Sequence, residues 1–205
     1  MTAIKICGVT SPADAALAVE LGVDAIGLNF VPSSPRAIDV AVARAIVAEV
    51  AGRALVVAVV ADLDLAAIAR LRADTAVGCV QLHGDEPADV VRALLPHAYK
   101  AVRIGGPEDV ARLADFPGEH VLADAKHGTA LGGTGKTFDF SLVAGVARTR
   151  KLTLAGGLDA ENVGAAIALV APYCVDVASG VEVRGDPRRK DRARLAAFVA
   201  AVRGG

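Results

Sequence analysis

The chain has no tryptophan, and aromatic residues make up only 3% of its 205 positions. So few aromatic side chains leave little surface on which nucleobases could stack. Neither sign of charge dominates, because 22 basic residues face 23 acidic ones and the formal net charge is −1. This balance offers no global field to a nucleic acid or an anionic membrane. We therefore expect neither as a partner, and an anion would have to bind at a local site.

Cysteine is scarce as well, with Cys7, Cys79 and Cys174 far apart in the sequence. Three such residues match neither a disulfide framework nor a C-x-x-C zinc pattern, so we expect no metal and no cofactor. Hydrophobic residues reach 54%, yet no run approaches the roughly 20 residues of a membrane-spanning helix. The first residues enter a strand-like run without the features of a signal peptide, which favours a cytoplasmic location.

Short runs of Val, Ile and Leu alternate with longer Ala, Leu and Arg segments of helical period along the whole chain. Eight strands are predicted, over residues 4–8, 25–30, 54–60, 79–82, 98–103, 120–124, 152–154 and 175–178. A helix is predicted after each, over residues 12–21, 40–50, 65–72, 87–95, 107–114, 138–147, 160–170 and 186–202. Such units imply parallel strands with right-handed crossovers. Because no G-x-G-x-x-G follows the first strand, we predict an α/β fold, a single-domain (β/α)₈ TIM barrel over residues 1–205.

In a barrel, inward-facing residues at the carboxyl ends of the strands line the site. Cys7 ends the first strand, where a thiol is either packed in the core or acts as a base or nucleophile. Lys5, on the same face, either supplies the positive charge that such a thiol needs or balances a carboxylate in the barrel. Asp124 ends the sixth strand and either caps a loop or serves as an acid opposite Cys7. The other strand-end positions are Asn29, Gln81, His83, Arg103 and Ser179.

Gln81 and His83 alternate along the fourth strand and therefore face the same way. They either hold the adjacent loop by hydrogen bonds or contact a substrate directly. Arg36 lies in the loop after the second strand, between prolines that limit its freedom. A guanidinium is well suited to clamp a carboxylate, but this segment alone favours a solvated surface arginine.

Two glycine-containing loops follow the last two strands, with Gly156 and Gly157 in the first and Ser179 and Gly180 in the second. Barrels often bind phosphate between these loops, where backbone N–H groups replace the anion's water. The connection over residues 125–137 is longer than the fold requires and predicts a functional loop on the same face. These residues predict acid and base chemistry on a small phosphorylated substrate, which they leave unidentified.

Six segments in register resemble the phosphoribosylanthranilate isomerase family of tryptophan biosynthesis, and they cover essentially the whole chain. The segments are Lys5-Ile6-Cys7-Gly8-Val9-Thr10, Pro32-Ser33-Ser34-Pro35-Arg36, Val80-Gln81-Leu82-His83-Gly84, Gly132-Gly133-Thr134-Gly135-Lys136-Thr137-Phe138-Asp139, Ala155-Gly156-Gly157-Leu158 with Glu161-Asn162-Val163, and Val175-Asp176-Val177-Ala178-Ser179-Gly180-Val181-Glu182. The family commonly has a serine where this chain has Ala178, and often has more apolar residues at the end of the second strand. These departures concern details of binding and not the reaction.

The resemblance implies an Amadori rearrangement of N-(5-phosphoribosyl)anthranilate without metal or cofactor, by a monomer or homodimer. It implies that Cys7 removes the C2 proton, Asp124 protonates the ring oxygen and Arg36 holds the anthranilate carboxylate. The implied phosphate ligands are Gly156, Gly157, Ser179 and Gly180, and the implied supporting residues are Lys5, Gln81, His83, Gly133 and Gly135. The loop over residues 132–136 is expected to close over the site.

Two alternatives remain. A related barrel isomerase of histidine synthesis acts on an aminoimidazole substrate, but we would expect it to carry an Asp in place of Cys7 and a stronger half-barrel repeat. A barrel without catalysis would only bind a sugar phosphate or a protein partner. The presence of both Cys7 and Asp124 argues against it, and a turnover assay separates the two.

Overall fold

Eight parallel strands close into a barrel in a computed structural model that describes residues 1–126 and 137–204. Each strand pairs with the next along the chain, and the eighth pairs with the first, for example through Ala3 and Cys174. The predicted (β/α)₈ barrel is therefore confirmed. In the described part of the chain no helix has the length and apolar character that a bilayer span needs.

The barrel strands match the predicted ones to within about a residue at each end. They are β1 (Ala3–Cys7), β2 (Ala25–Asn29), β3 (Leu55–Val60), β4 (Cys79–Leu82), β5 (Ala98–Ile104), β6 (His120–Ala125), β7 (Lys151–Leu154) and β8 (Cys174–Val177). A small antiparallel sheet after the barrel was not predicted. It consists of β9 (Glu182–Val183) and β10 (Asp186–Lys190).

Helices follow the strands and pack around the outside of the barrel. Those of the described residues are α1 (Pro12–Glu20), α2 (Val40–Val50), α3 (Leu65–Thr75), α4 (Ala88–Leu94), α5 (Pro107–Ala111), α6 (Ala144–Ala147), α7 (Val163–Val170) and α8 (Arg192–Arg203). Their starts follow from local chemistry, because the side chains of Ser11, Asp39 and Asp64 each accept a hydrogen bond from a backbone N–H in the first turn. The predicted helices 107–114 and 138–147 are partly 3₁₀ helices, Arg112–Asp115 and Phe140–Val143.

The predicted helix over residues 186–202 is wrong in its first part. Residues Asp186–Lys190 form a strand, and the helix begins only at Arg192, where the Asp191 side chain accepts from the Arg194 N–H at 3.0 Å. Asp-Pro at residues 186 and 187 looks like a helix start in the sequence. Tertiary contacts override that signal, since the Lys190 side chain is fully buried and bonded across the barrel end.

Alternation along each strand gives the barrel two different layers. On β1, Ile4 and Ile6 point outward into an apolar core shared with the helices, whereas Lys5 points into the barrel. The interior also contains Tyr99 and Asp176, both buried. The outer layer therefore supplies most of the apolar burial, and the interior is free to hold polar groups beneath the site.

Candidate active site

The pocket at the carboxyl ends of the strands contains most of the predicted site residues. Those that line it are Cys7, Arg36, Gln81, His83, Asp124, Gly156, Gly157 and Ser179. Asn29 and Asp176 line it as well, while Lys5 lies in the barrel below. Gly133 and Gly135 lie outside the described residues. The pocket is at the end of the barrel where a barrel's βα loops gather.

Cys7 sits above a buried ion pair between Lys5 and Asp176, whose Nζ and Oδ2 atoms are 2.7 Å apart. Gly27 on β2 makes the space for this arrangement. A Cβ atom at residue 27 would lie 2.9 Å from Cys7 Sγ and 3.1 Å from Lys5 Nζ, so both atoms border the volume that a side chain there would fill. Both interpretations of Lys5 are thus compatible with the structure, because it balances a carboxylate and also stands beside the thiol.

The electrostatics of Cys7 set how readily its thiolate forms. Burial raises the pKa of the Cys7 thiol above its ordinary value, the positive charges of Lys5 and Lys190 lower it, and the negative charge of Asp176 raises it. A thiol is a base only as the thiolate, and the two lysines partly oppose the effect of burial, which keeps the pKa of Cys7 above its ordinary value.

Asp124 lies on β6 at the end of a row of polar groups that starts on β5 and passes through β4 and the residue that follows it. The Tyr99 hydroxyl donates to Gln81 Oε1 at 3.0 Å, and Gln81 Nε2 lies 2.9 Å from His83 Nδ1. Because the Gln81 amide then donates to Nδ1, the proton of the imidazole is on Nε2. His83 Nε2 lies 3.3 Å from Asp124 Oδ2.

The contact between His83 and Asp124 is close but poorly aligned. Its distance is that of an ion pair, yet its angles are not those of a hydrogen bond, and buried His83 Nε2 has no hydrogen-bond partner among residues 1–126 and 137–204. Asp124 Oδ1 accepts from the Ala125 N–H at 2.9 Å, so the Oδ2 atom is the one turned to His83. Such a loosely held buried carboxyl can adjust when a ligand enters.

Arg36 is buried, so its interpretation as a solvated surface residue is wrong. Its exposed fraction is 8%, and it makes a bidentate ion pair with Glu182, through Nε to Oε1 at 2.6 Å and Nη2 to Oε2 at 2.9 Å. Gly8 is required here, since a Cβ atom at that position would overlap Arg36 Cδ and its φ is +68°. The remaining guanidinium nitrogen, Nη1, has no protein partner in the described part of the chain and is available to a ligand at the pocket.

The two glycine loops meet where the pocket is bordered by the ends of β7 and β8. A Cβ atom on Gly180 would overlap the carbonyl oxygen of Leu158, so the loop after β8 packs directly on the loop after β7. Gly156 has a φ of +96°, and a Cβ atom there would lie 2.6 Å from the Ala125 nitrogen. The backbone N–H groups of Gly156, Gly157, Ser179 and Gly180 donate to no acceptor in residues 1–126 and 137–204. Free N–H groups converging from two loops suit an oxyanion such as phosphate.

Four buried polar residues of this region were not selected from the sequence. They are Tyr99, Asp176, Glu182 and Lys190. An Asp inside the apolar run Val175-Asp176-Val177 is a usable signal, because an inward-facing carboxylate requires a partner. No comparable signal identifies Lys190, whose function depends on the unpredicted sheet of β9 and β10. Among the described residues, no cluster of three or more His, Cys, Asp or Glu side chains could hold a metal ion.

A closed barrel whose strand ends bring a thiol, a carboxyl group, a guanidinium and two glycine loops to one pocket belongs to the class of (β/α)₈-barrel enzymes. Comparison with known proteins identifies the family within that class. Residues 4–201 match the family model of N-(5'-phosphoribosyl)anthranilate isomerase, and the chain belongs to that family.

Individual relatives agree over their full length. The N-(5'-phosphoribosyl)anthranilate isomerase of Halorhodospira halophila is 44% identical over 212 residues, which cover 100% of this chain and 98% of the relative. The crystal structure of phosphoribosyl anthranilate isomerase from Thermotoga maritima matches with a TM-score of 0.90 and 36% identity over 100% of both chains. A crystal structure of the isomerase in complex with reduced 1-(o-carboxyphenylamino)-1-deoxyribulose 5-phosphate matches with a TM-score of 0.87 and 34% identity, also over 100% of both chains.

Proposed function

We propose that this chain converts N-(5'-phosphoribosyl)anthranilate to 1-(o-carboxyphenylamino)-1-deoxyribulose 5-phosphate, a step of tryptophan biosynthesis, using its own side chains as acid and base. The observation that carries this proposal is the content of one pocket. Cys7 and Asp124 line it together, with Arg36 and the glycine loops also in its wall. The substrate has the matching parts, namely a carboxylate, a ribose to be rearranged and a phosphate.

Asp124 is the proposed acid. It donates a proton to the ring oxygen as the bond from that oxygen to C1 breaks, and the nitrogen lone pair forms the C1–N double bond of an open-chain Schiff base. His83 beside Oδ2 and the Ala125 N–H on Oδ1 orient the carboxyl group for this transfer. General acid catalysis of this kind contributes roughly 10²- to 10⁴-fold.

Cys7 is the proposed base. Its thiolate removes the proton from C2, and the electron pair moves toward the iminium nitrogen to give an enolamine, which then tautomerises to the ketone. Lys5 stabilises the thiolate by its charge, and the Asp176 carboxylate holds Lys5 in place. Proton removal next to an iminium is favourable because the nitrogen accepts the electrons, so a thiolate is a sufficient base.

Binding groups fix the substrate between these two residues. Arg36 Nη1 is the proposed donor to the anthranilate carboxylate, and the N–H groups of Gly156, Gly157, Ser179 and Gly180 are the proposed phosphate ligands. We expect residues 1–205 to act as one domain. The cytoplasmic location, the monomeric or homodimeric state, and the roles of Gly133 and Gly135 stay predictions.

The direct test is turnover of freshly generated phosphoribosylanthranilate, followed by the loss of its fluorescence without added metal. We expect the native chain to be active, and Cys7→Ala and Asp124→Asn each to lose roughly 10²-fold or more in kcat. Matched controls are Cys79→Ala, a thiol elsewhere in the barrel, and Asp74→Asn, an exposed carboxylate on α3. Both controls should retain native turnover.

Other outcomes assign the chain differently. A folded native chain that binds the substrate without turnover is a barrel without catalysis. Turnover of an aminoimidazole substrate of histidine synthesis alone would support the related isomerase. Native activity that survives in folded Cys7→Ala would disprove the assignment of the base and leave the reaction in place.

A further inference from the structure

The β9–β10 sheet lies against the loops after β1 and β2, and the reaction proposed above assigns it no role. The Arg188 guanidinium donates to the carbonyl oxygens of Pro35 at 3.1 Å and Ala37 at 3.0 Å, on both sides of Arg36. The Thr10 hydroxyl donates to the Arg188 carbonyl oxygen from the loop after β1. The sheet therefore fixes both the segment that carries Arg36 and the segment that follows Cys7.

Glu182, at the start of β9, occupies one whole edge of the Arg36 guanidinium. Both carboxylate oxygens are used, and the two side chains are 10% and 7% exposed. A bidentate pair fixes the plane of a guanidinium as well as its position. In the described part of the chain three N–H groups of Arg36 remain for a ligand, two on Nη1 and the second on Nη2, and Glu182 sets their direction.

Lys190, at the end of β10, connects the same carboxylate to the first strand. Its Nζ donates to Glu182 Oε1 at 3.0 Å, to the Cys7 carbonyl oxygen at 2.7 Å and to the Ala178 carbonyl oxygen at 3.3 Å. These three acceptors use the three protons of an ammonium group. The Lys190 side chain has no exposed surface, so this geometry is not one of many surface conformers.

We propose that Glu182 and Lys190 are a pair of positioning residues that hold Arg36 at a fixed place relative to Cys7, so that the substrate's aromatic carboxylate aligns its C2 carbon with the base. The proposal rests on the function proposed above. Glu182 sets the guanidinium through two hydrogen bonds, and Lys190 ties Glu182 to the backbone of Cys7. Carboxylate recognition and proton removal are thereby coupled through a path of three contacts.

The charges of this cluster support the same role. Arg36 and Lys190 are cationic and Glu182 is anionic, so the cluster keeps one net positive charge to receive a carboxylate. Burial lowers the pKa of Lys190, and the negative charge of Glu182 raises it again. Without Glu182, two like charges would remain close together and buried.

Lys190 also belongs to the set of charged groups that face the Cys7 thiol. The others are Lys5 from β1, Asp176 from β8 and Arg36 from the loop after β2. Lys190 lowers the pKa of Cys7, so its loss raises that pKa and moves thiolate formation to higher pH. A residue with only a structural role would not shift this titration in a fixed direction.

Two substrates separate positioning of the carboxylate from general damage. One is phosphoribosylanthranilate, and the other is its aniline analogue, which lacks the carboxylate. We expect Glu182→Gln to lower kcat/KM for the natural substrate roughly tenfold, with kcat falling as well as KM rising because C2 is no longer aligned with the base, and to change turnover of the analogue little. Equal losses with both substrates would overturn the positioning role of Glu182. The matched control is Glu20→Gln, which removes an exposed ion pair with Arg192.

The second measurement needs no substrate. The rate of alkylation of Cys7 by iodoacetamide is followed against pH in a chain that also carries Cys79→Ala and Cys174→Ala. The Lys190→Gln variant keeps hydrogen-bond donors but removes the charge. We expect it to move the pH at which the alkylation rate is half its maximum to a higher value. Lys151→Gln, at an exposed lysine, should not move it. An unchanged midpoint would overturn the link from Lys190 to Cys7, and Lys190→Met repeats the test if the first variant does not fold.

Failure of the proposed function and failure of this inference give different results. A folded native chain that turns over neither substrate contradicts the function and, with it, the carboxylate coupling. If the native chain is active and its Glu182→Gln variant loses turnover of both substrates equally, only the carboxylate coupling is contradicted.

Discussion

The two ends of the barrel interior contain polar side chains in different states. At the carboxyl end, His83 Nε2 is buried without a hydrogen bond in the described part of the chain, and so is Asp176 Oδ1 below it. At the amino end, His120 Nε2 lies 2.7 Å from the Thr153 hydroxyl, and the ring stacks on Tyr99 at 4.1 Å between centroids. His83 Nε2 lacks a hydrogen-bond partner among the described residues, whereas the half-buried His120 has one on Nε2 and a stacked ring.

This difference separates side chains available for ligand binding or proton transfer from side chains that stabilise the folded chain. An unsatisfied buried polar atom costs about 1–3 kcal/mol, and it is tolerated where a ligand or a proton transfer uses it. His120, bonded through Nε2 and stacked on Tyr99, contributes to folding and does not line the pocket. Mutations at the carboxyl end should therefore change turnover, and mutations at the amino end should change the free energy of unfolding. Mutations of the Lys5–Asp176 pair between the two ends should change both quantities.

The largest effect is expected for Asp176→Ala, in the middle of the barrel. It leaves the buried ammonium of Lys5 without its partner, which should lower the free energy of unfolding by about 3–5 kcal/mol. It should also reduce turnover, since Lys5 is no longer held beside Cys7. Urea unfolding and the fluorescence assay measure the two effects.

A double variant sharpens this prediction. Lys5→Met with Asp176→Leu removes both charges and should recover most of the stability without recovering activity. Asp74→Ala, at an exposed ion pair with Arg44, is the control and should change neither quantity appreciably. If Asp176→Ala unfolds at the same urea concentration as the native chain, the Lys5–Asp176 pair is not a structural link between the two ends.

The second effect concerns the amino end of the barrel, where the free energy of unfolding should depend on pH through His120. Burial, with smaller contributions from nearby positive charges, lowers the pKa of His120 to about 4. Between pH 6.5 and 4 the unfolded chain binds a proton at this residue and the folded chain does not, so stability falls as the pH falls. The total loss from this residue should be about 3 kcal/mol.

The His120→Gln side chain can still bond to Thr153 but does not titrate. This variant should therefore lose the part of the pH dependence of the free energy of unfolding that comes from residue 120. Unfolding in urea at several pH values measures it, while kcat at neutral pH should change little because the residue does not line the pocket. His97→Gln, at an exposed histidine, should keep the native slope. If the native chain and both variants lose stability equally as the pH falls, the lowered pKa of His120 is contradicted.

The smallest effect is expected for His83→Gln at the carboxyl end. If His83 positions Asp124, kcat should fall by about tenfold while KM changes little, because a misplaced acid slows the chemical step. A rise in KM with unchanged kcat would instead support direct contact with the substrate. Initial rates over a range of substrate concentrations separate these two interpretations.

The sequence predicted the barrel well because each unit repeats the same local physics. A short β-branched run such as Leu55–Val60 can bury both faces only in a parallel sheet, and Asp39 or Asp64 marks the start of the next helix by its cap. Residues 186–190 could not be predicted in this way. Their strand depends on contacts of Lys190 and Arg188 with segments more than 150 residues earlier.

The site was predictable where topology alone decides proximity. Cys7 and Asp124 end different strands of one barrel, so they must share its mouth. The partner of Arg36 could not be derived, since Glu182 is 146 residues away and follows the strand end by a turn that the sequence does not specify. The row from Tyr99 to Asp124 also depends on side-chain orientations, which alternation along a strand does not determine.

The contact between Lys190 and the Cys7 carbonyl joins residues that are 183 positions apart, and this separation affects the order of events during synthesis. The ribosome makes Cys7 and Arg36 before it makes Glu182 and Lys190. A nascent chain that stops before residue 182 therefore contains the thiol and the guanidinium but neither Glu182 nor Lys190. A later segment of the chain completes the site begun by an earlier one, so termination before residue 182 should release fragments without isomerase activity.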